Sequence, residues 1–519
     1  MDWCARHGLA ILPRGGGTSL AGQTVNRAVV IDCSSRLRSI GPVDVDRRRV
    51  DVESGVVLDA IQEAARPHGL RFGPEVSTSS HATIGGMISN RSAGLHSRRW
   101  GMTDAHVLGV DIVCADGSSM RLEKGAACHD RHVAELTRQV AEIVLPLGDV
   151  IDQRYPKLTR NVGGYALDRV LAELRSCEGD DYSEVNLSGL IAGSEGTLGV
   201  ITGASLSLVE DPPVSALAVL AFPDVSAALA ALVPILESDP SAVELLDHTI
   251  LKAARDRGTY SHLLNLLPSC GDPSTNAVLY VDWLGDTEEE VAAGLGAISA
   301  MLPEVPCRVY TDSDRQRDLW HLRKVGLGLI MSGDGGGQPA GGLEDCAVAP
   351  EHLASFQKGF EKMLGRHGLS ATYYAHASVG LLHIRPRINL RTSAGRSLLE
   401  ELGREATQLV LDHGGTVSGE HGDGRIRAAM THEFYGPELV EAFRRIKTIF
   451  DPDCRLNPGM ITSDPGMTTH LRVMPEAKQS EDSAFRWPES AAEAASQCNG
   501  NGFCRRMEGG AMCPSYRAT

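Results

Sequence analysis

Apolar and polar positions along the chain change their rhythm near residue 212. Before it, short runs rich in β-branched residues ("AVVID", "RRVDVESGV", "HVLGVDIVCADGS", "LGVITGASLSLVE") are separated by loops of glycine and serine. Runs of this kind bounded by turn residues predict strands, and the Asp-Gly in the third predicts a tight turn. "VLDAIQEAARPHG" instead brings its apolar residues back every three or four positions, which predicts a helix.

From 213 to about 412 strand-like runs precede helix-like ones: "ALAVLAF" before "SAALAALVPILE", and "AVLYVDWL" before "EEEVAAGLGAISAML". That order predicts an α+β layer with helices on one face of a sheet. A further helix is expected around "ELVEAFRRIKTIFDP", and the polar stretch 463–490 reads as a linker into a cysteine-bearing tail. No internal repeat is visible.

Composition narrows the class. At 519 residues the chain is long enough for about two to four domains. Hydrophobic content of 42% with 5% aromatics describes a globular protein, and no apolar run reaches the roughly 20 residues of a membrane span. "MDWCARHGLA" lacks the basic and apolar regions of a secretory signal, so a cytoplasmic location is expected, at most peripheral at the inner face of the membrane. A net charge of -16 argues against nucleic acid as a partner, and an anionic substrate would have to be met by local positive groups. Twelve cysteines without a signal read as reduced thiols; Cys498, Cys504 and Cys513 cluster in the tail.

Candidate chemistry begins with "PRGGGTSLAGQ", Pro13 to Gln23. Three glycines after a strand let backbone N–H groups converge on an anion, and Thr18 and Ser19 add hydroxyls. The stretch is neither a Walker loop nor a G-x-G-x-x-G fingerprint. Residues 73–94 ("GPEVSTSSHATIGGMISNRSAG"), 161–168 ("NVGGYALD") and 193–206 ("GSEGTLGVITGASL") have the same small, hydroxyl-rich character, which suits a long polyphosphate-bearing cofactor. Further on, "SGEHGDGRIR" sets Glu420 and His421 between glycines, and "YYAHASVGLLHIRP" places His376 and His383 seven apart. Two histidines and a carboxylate suit Zn, Mn or Fe with open positions; the alternative is a hydrogen-bonded structural cluster.

The four glycine-punctuated loops, in this order, resemble the FAD-binding domain of the FAD-linked oxidase family, the PCMH-type fold of vanillyl-alcohol oxidase and of the D-lactate, glycolate and D-2-hydroxyglutarate dehydrogenases. The resemblance implies an α+β protein. Its parts would be a two-subdomain FAD-binding domain (1–212), a ferredoxin-like α/β substrate or cap domain with the metal site (213–434), and a C-terminal helical segment returning to the FAD domain (435–462). A linker (463–490) and the start of a 4Fe–4S ferredoxin-type domain (491–519) would follow. Arg14, Gly15, Gly16, Gly17, Thr18, Ser19, Gly22 and Gln23 match the loop that holds the FAD pyrophosphate. Pro74, Thr83, Gly85, Gly86 and Gly94 match the second loop, and Glu195, Gly196, Gly199 and Ile201 the third. Asn457 matches the "NPGK" element that returns to the flavin, with Met460 where lysine is usual. No histidine stands in positions 13–26, so the FAD is expected to be noncovalent.

The same resemblance makes His376, His383 and Glu420 ligands of a divalent metal and gives His421 the proton of a 2-hydroxy acid while hydride passes to the flavin. Arg323 matches a position that grips the substrate carboxylate. Arg385 is a second candidate clamp, at a position where the single-domain 2-hydroxyglutarate dehydrogenases carry asparagine. "LEDCAVAP", residues 343–350, matches a family strand and is assigned no chemistry. Cys498, Cys504 and Cys513 resemble the opening of the iron–sulphur module of large fusion relatives; three thiolates fall short of the four of a cubane cluster, so 4Fe–4S is expected only in a longer parent. Relatives have a helix and strand before the pyrophosphate loop and continue beyond Thr519, so truncation at both ends is expected.

The function implied is an FAD-dependent D-2-hydroxy-acid dehydrogenase acting on D-lactate, D-2-hydroxyglutarate or glycolate, with electrons passed to an iron–sulphur domain or protein, a quinone or a cytochrome. The alternatives are a non-catalytic fragment of such a flavoprotein and an FAD transferase related to alkyl-glycerone-phosphate synthase.

Overall fold

The computed structural model describes residues 1–471 apart from 180, 257, 259, 269–274, 332–337 and 464. The expected iron–sulphur cysteines Cys498, Cys504 and Cys513, and nearly all of the linker before them, lie outside the described residues. The described chain forms two compact units: Met1–Asp211 with Ser418–Gly466, and Pro212–Val417 with the described residues from Met467 onward.

In the first unit, strands Ile11–Arg14 and Val29–Asp32 pair in parallel. Ile11 also bridges to Leu456, so the chain after 450 returns to the strand that leads into the glycine loop. Ile11 and Leu456 are fully buried and share a cluster with Cys4, Cys33, Ala115 and Val200. An antiparallel sheet follows in the order Arg49–Glu53, Val200–Ser207, Val107–Val113, Ser119–Glu123. Arg49–Glu53 shows the period-two pattern expected of a strand with one face inward: Val50 and Val52 are buried, Asp51 is exposed. The Asp-Gly turn forms as expected, with Gly117 at φ 90° and its N–H donating to the Cys114 carbonyl. Helix Leu58–Ala65 buries Leu58, Ile61 and Ala65 along one stripe. The long helix Ala428–Phe450 is kinked where Gly436, at φ 77°, precedes Pro437.

The second unit is built on one antiparallel sheet of eight strands. Seven run in the order Cys307–Tyr310, Val214–Phe222, Ala277–Gly285, Ala242–Asp247, Ala371–His376, Leu381–Ile388, Gln338–Pro339; the eighth, Cys346–Ala347, also pairs with Leu381–Ile388. Strand Ala242–Asp247 is buried at every position and Ala277–Gly285 at all but one. Such strands read as continuous apolar runs because both faces are out of water.

Residues 418–434 cluster with the first unit, whereas the sequence reading put them in the second domain. The reason is backbone hydrogen bonding. Val162 N–H donates to the Ser418 carbonyl at 2.9 Å and Arg425 N–H to the Ala21 carbonyl at 2.8 Å, while Gly424 N–H meets the Glu195 carboxylate at 3.0 Å. Eight cysteines lie among the described residues, all as free thiols. Among those residues no helix is long and apolar enough to cross a membrane.

Candidate functional site

The glycine loops of the first unit pack on one another. A Cβ on Gly15 or Gly16 would run into the Thr83 side chain and the His81 carbonyl, and one on Gly196 would touch Pro13. Thr83 caps the short helix Ile84–Ser89, which carries Gly85 and Gly86, by accepting from Gly86 N–H at 3.4 Å. Gly94 lies against the backbone of Pro74 and Glu75, and Gly199 against Ile112 beside the buried Ile201. Arg14, Thr18, Ser19 and Gly22 therefore belong to a loop held on one side by residues 81–83 and on the other by the segment around Glu195.

Asn457, at φ 40°, ties these loops together. Its side-chain nitrogen donates to the Gln23 carbonyl at 3.1 Å and the Glu195 carbonyl at 2.7 Å, so both amide hydrogens are used within the protein. Lys447, buried in the helix Ala428–Phe450, adds a second clamp through Asp451 and the carbonyls of Thr197 and Leu456. Two polar atoms in the first loop, Ser19 Oγ and Gln23 Oε1, are buried without a partner among the described residues. An orphaned hydroxyl and an orphaned amide oxygen beside stacked glycine loops fit a polar cofactor such as FAD.

The segment 418–427 lies over the same loops. Glu420 is ion-paired with Arg160, whose side chain is fully buried and also donates to Gly94 O at 2.7 Å and Ser97 Oγ at 2.9 Å. His421 Nε2 stands 3.5 Å from the second Glu420 oxygen. Gly422, at φ 79°, has no room for a side chain: its Cβ would meet Gln23 Nε2 at 2.6 Å and the Glu195 carboxylate. The glycine is thus favoured by its positive φ and by the three side-chain tips packed against it.

Two carboxylates are buried beneath this segment. Glu195, at φ 53°, receives Gly424 N–H and Gln23 Nε2; Asp423 receives Gly164 N–H at 2.9 Å and the Thr431 hydroxyl at 2.7 Å. Burial first, and the neighbouring Asp423 second, push Glu195 up to about 8, and burial raises Asp423 as well.

In the second unit a hairpin positions both histidines. Strand Ala371–His376 pairs with Leu381–Ile388 so that His383 lies opposite Tyr374, and the His376 and His383 rings stand 5.4 Å apart. His383 Nδ1 lies 2.9 Å from the Glu344 carbonyl, which makes it the N–H donor and Nε2 the lone-pair atom. His376 Nδ1 lies 2.6 Å from Glu244, a fully buried carboxylate on the neighbouring strand. Two imidazoles oriented through Nδ1 form the arrangement that metal-ligating histidines adopt, so this donor set fits a divalent metal.

Arg323 donates through Nε to Glu244 at 2.8 Å and sits over the Tyr374 ring, its Cζ 5.1 Å from the ring centre. The expected substrate clamp therefore already has a carboxylate partner inside the protein. Arg385 is different. It is 6% exposed and donates through Nε to the Tyr374 hydroxyl at 3.0 Å, while its Nη2 has no partner among the described residues.

Of the expected metal set the structure brings His376 and His383 together; Glu420 belongs to the first unit. Sequence reasoning missed Arg160, Asn90, Glu244 and Tyr374, and assigned no chemistry to "LEDCAVAP", whose Glu344 carbonyl fixes His383. Arg160 and Glu244 are marked by buried charge and Asn90 and Tyr374 by hydrogen bonds to distant residues, and neither feature is visible until the chain folds.

Residues 1–123 match the family model described as an FAD binding domain, and residues 211–461 the one described as the C-terminal domain of FAD linked oxidases. The chain is 30% identical to D-2-hydroxyglutarate dehydrogenase of Escherichia coli K12, over 98% of this chain and 51% of that protein. It is 26% identical to D-lactate dehydrogenase of Archaeoglobus fulgidus, over 87% of this chain and 86% of that protein. This chain thus spans about half the length of the first of these relatives. A solved structure of alkyldihydroxyacetonephosphate synthase shares the fold, with a TM-score of 0.55 and 15% identity over 88% of this chain and 73% of that one. With residues 1–123 matched as an FAD binding domain and residues 211–461 as the C-terminal domain of FAD linked oxidases, the chain belongs to the FAD-linked oxidase family.

Proposed function

We propose that this chain is the FAD-dependent part of a D-2-hydroxy-acid dehydrogenase, with D-2-hydroxyglutarate as leading substrate and D-lactate and glycolate in the same class. The observation that carries the reading is the hairpin of the second unit. It presents two imidazoles with fixed Nδ1 atoms and, two residues after His383, a buried guanidinium whose Nη2 has no partner among the described residues. A carboxylate beside an oxidisable hydroxyl asks for those two things: a cationic fork and a Lewis-acid site. The names of the relatives support the same class.

Bound FAD would supply a hydride acceptor, and a divalent metal, for which His376 and His383 would be ligands together with Glu420 as the family resemblance implies, would supply Lewis-acid help in ionising the hydroxyl. The protein's own groups do the rest. Arg385 Nη2 binds a substrate carboxylate, and Glu244 and the Glu344 carbonyl keep the two histidines in the ligating tautomer. His421 accepts the hydroxyl proton, and the loop Arg14–Gln23 holds the pyrophosphate. An iron–sulphur protein, a quinone or a cytochrome would be the class of acceptor for the electron pair.

The test is dye-linked turnover of the flavin-loaded chain with each enantiomer of lactate and 2-hydroxyglutarate, and with glycolate. Oxidation of the D forms with the L forms inert is expected. Arg385→Met is expected to raise KM by about 10- to 100-fold, the loss of a charge-assisted hydrogen bond. Equal turnover of both enantiomers, or turnover of none of these acids, contradicts the reading.

A further inference from the structure

We infer that Gln23 and Asn90 form an amide pair through which two flavin loops set the backbone of the Glu420–His421 dipeptide; the inference rests on the reading above, in which His421 takes the substrate proton. Asn90 Nδ2 donates to the Glu420 carbonyl at 2.8 Å, and Gln23 Nε2 donates to the His421 carbonyl at 2.7 Å. The pair is itself joined, Gln23 Nε2 lying 3.2 Å from Asn90 Oδ1. Two consecutive carbonyls of one glycine-flanked segment are therefore fixed by two side chains remote in sequence.

Each amide is anchored in a different loop. Gln23 ends the stretch Pro13–Gln23, and its own carbonyl is gripped by Asn457. Asn90 follows the helix Ile84–Ser89, its N–H donating to the Gly86 carbonyl at 3.1 Å. Gly422 closes the arrangement from above, since a Cβ there would lie 2.6 Å from Gln23 Nε2 and 3.0 Å from Asn90 Oδ1. A segment with glycines at 419, 422 and 424 has little conformational preference of its own, so its position is set from outside. Whatever orders the loops orders the dipeptide, and by linkage the coupling runs in both directions. Gln23 and Asn90 are positioning residues in this account; neither is asked to touch the substrate.

Isosteric variants separate donation from packing. Gln23→Glu and Asn90→Asp keep shape but set an oxygen against each carbonyl. Hydrogen–deuterium exchange of the 418–427 peptide is measured in the flavin-loaded and flavin-depleted parent and in each loaded variant, beside the rate of flavin reduction by D-2-hydroxyglutarate. In the parent, depletion is expected to speed exchange in this peptide. Each loaded variant is expected to exchange like the depleted parent and to reduce its flavin at least about tenfold more slowly, with little change in half-saturating substrate, as for loss of one positioning hydrogen bond. Equal exchange in loaded and depleted parent, or flavin-loaded variants that exchange and react like the parent, overturns the inference. A variant that fails to hold flavin leaves the parent comparison to decide. A parent that no hydroxy acid reduces sinks the proposed substrate class, while the exchange comparison still decides the amide pair.

Discussion

Gly422 shows why glycine follows the acid and the histidine: its φ of 79° is one that L residues rarely adopt, and a Cβ there would press on the side-chain tips of Gln23, Asn90 and Glu195. Gly422→Ala is expected to destabilise the protein by about 2–4 kcal/mol, combining left-handed strain with overpacking; denaturant unfolding of the flavin-loaded chain measures it. Arg160 makes a second prediction at this scale. Its guanidinium is fully buried on Glu420, and removing one partner of a buried pair leaves an uncompensated charge, so Arg160→Met is expected to cost about 3–5 kcal/mol by the same measurement. Glu420 and His421 were legible in the sequence because they are adjacent and flanked by glycine. Their partners were not, since Arg160 lies 260 residues away and Asn90 330 from Glu420.

Among the elements, the hairpin Ala371–Ile388 carries most of the chemistry of the second unit. Its turn is a single 3-10 turn ended by Gly380 at φ 71°, where a Cβ would overlap the Val348 carbonyl oxygen. The spacing of seven between His376 and His383 was readable because both flank one local turn. The carboxylate behind His376 was not readable, because Glu244 reaches it only through cross-strand pairing of Ala242–Asp247 with Ala371–His376. Glu244→Gln keeps the volume and removes the charge. It is expected to weaken zinc binding by about 10- to 100-fold, as for other groups that orient metal-bound histidines, and competition with a chromophoric chelator reads this directly. Zinc affinity within twofold of the parent would remove Glu244 from that role. Strand positions were predicted well where they alternate, as in Arg49–Glu53. Helices on one face of the second sheet were inferred from element order alone, which does not report that Ala242–Asp247 is out of water on both faces.

At the scale of the whole molecule, the buried carboxylates give stability a pH signature. Glu195 is held near 8 in the folded chain against an ordinary value of 4.5, so between those values the folded state keeps a proton that the unfolded chain has released. Its contribution is present in full below about 4.5 and is lost as pH rises through about 8. The parent's stability relative to Glu195→Gln is therefore expected to fall across that window, by at most about 1.4 kcal/mol per pH unit. A difference that stays flat between pH 5 and 8 would show that Glu195 is ionised throughout. The domain boundary also belongs to this scale. Helical and strand periodicity cannot tell that residues 418–466 return to the first unit, which depends on backbone bonds from Val162, Ala21 and Ile11 to residues far along the chain.

The central claim, that a bound flavin takes hydride from a D-2-hydroxy acid with help from a metal, is tested most directly by the visible spectrum of the anaerobic flavin-loaded chain before and after each acid, with and without a chelator. Bleaching by D-2-hydroxyglutarate or D-lactate, absent with the L acids and abolished by the chelator, is the predicted result. A flavin that none of these acids bleaches, or one bleached equally well in the presence of the chelator, would contradict it.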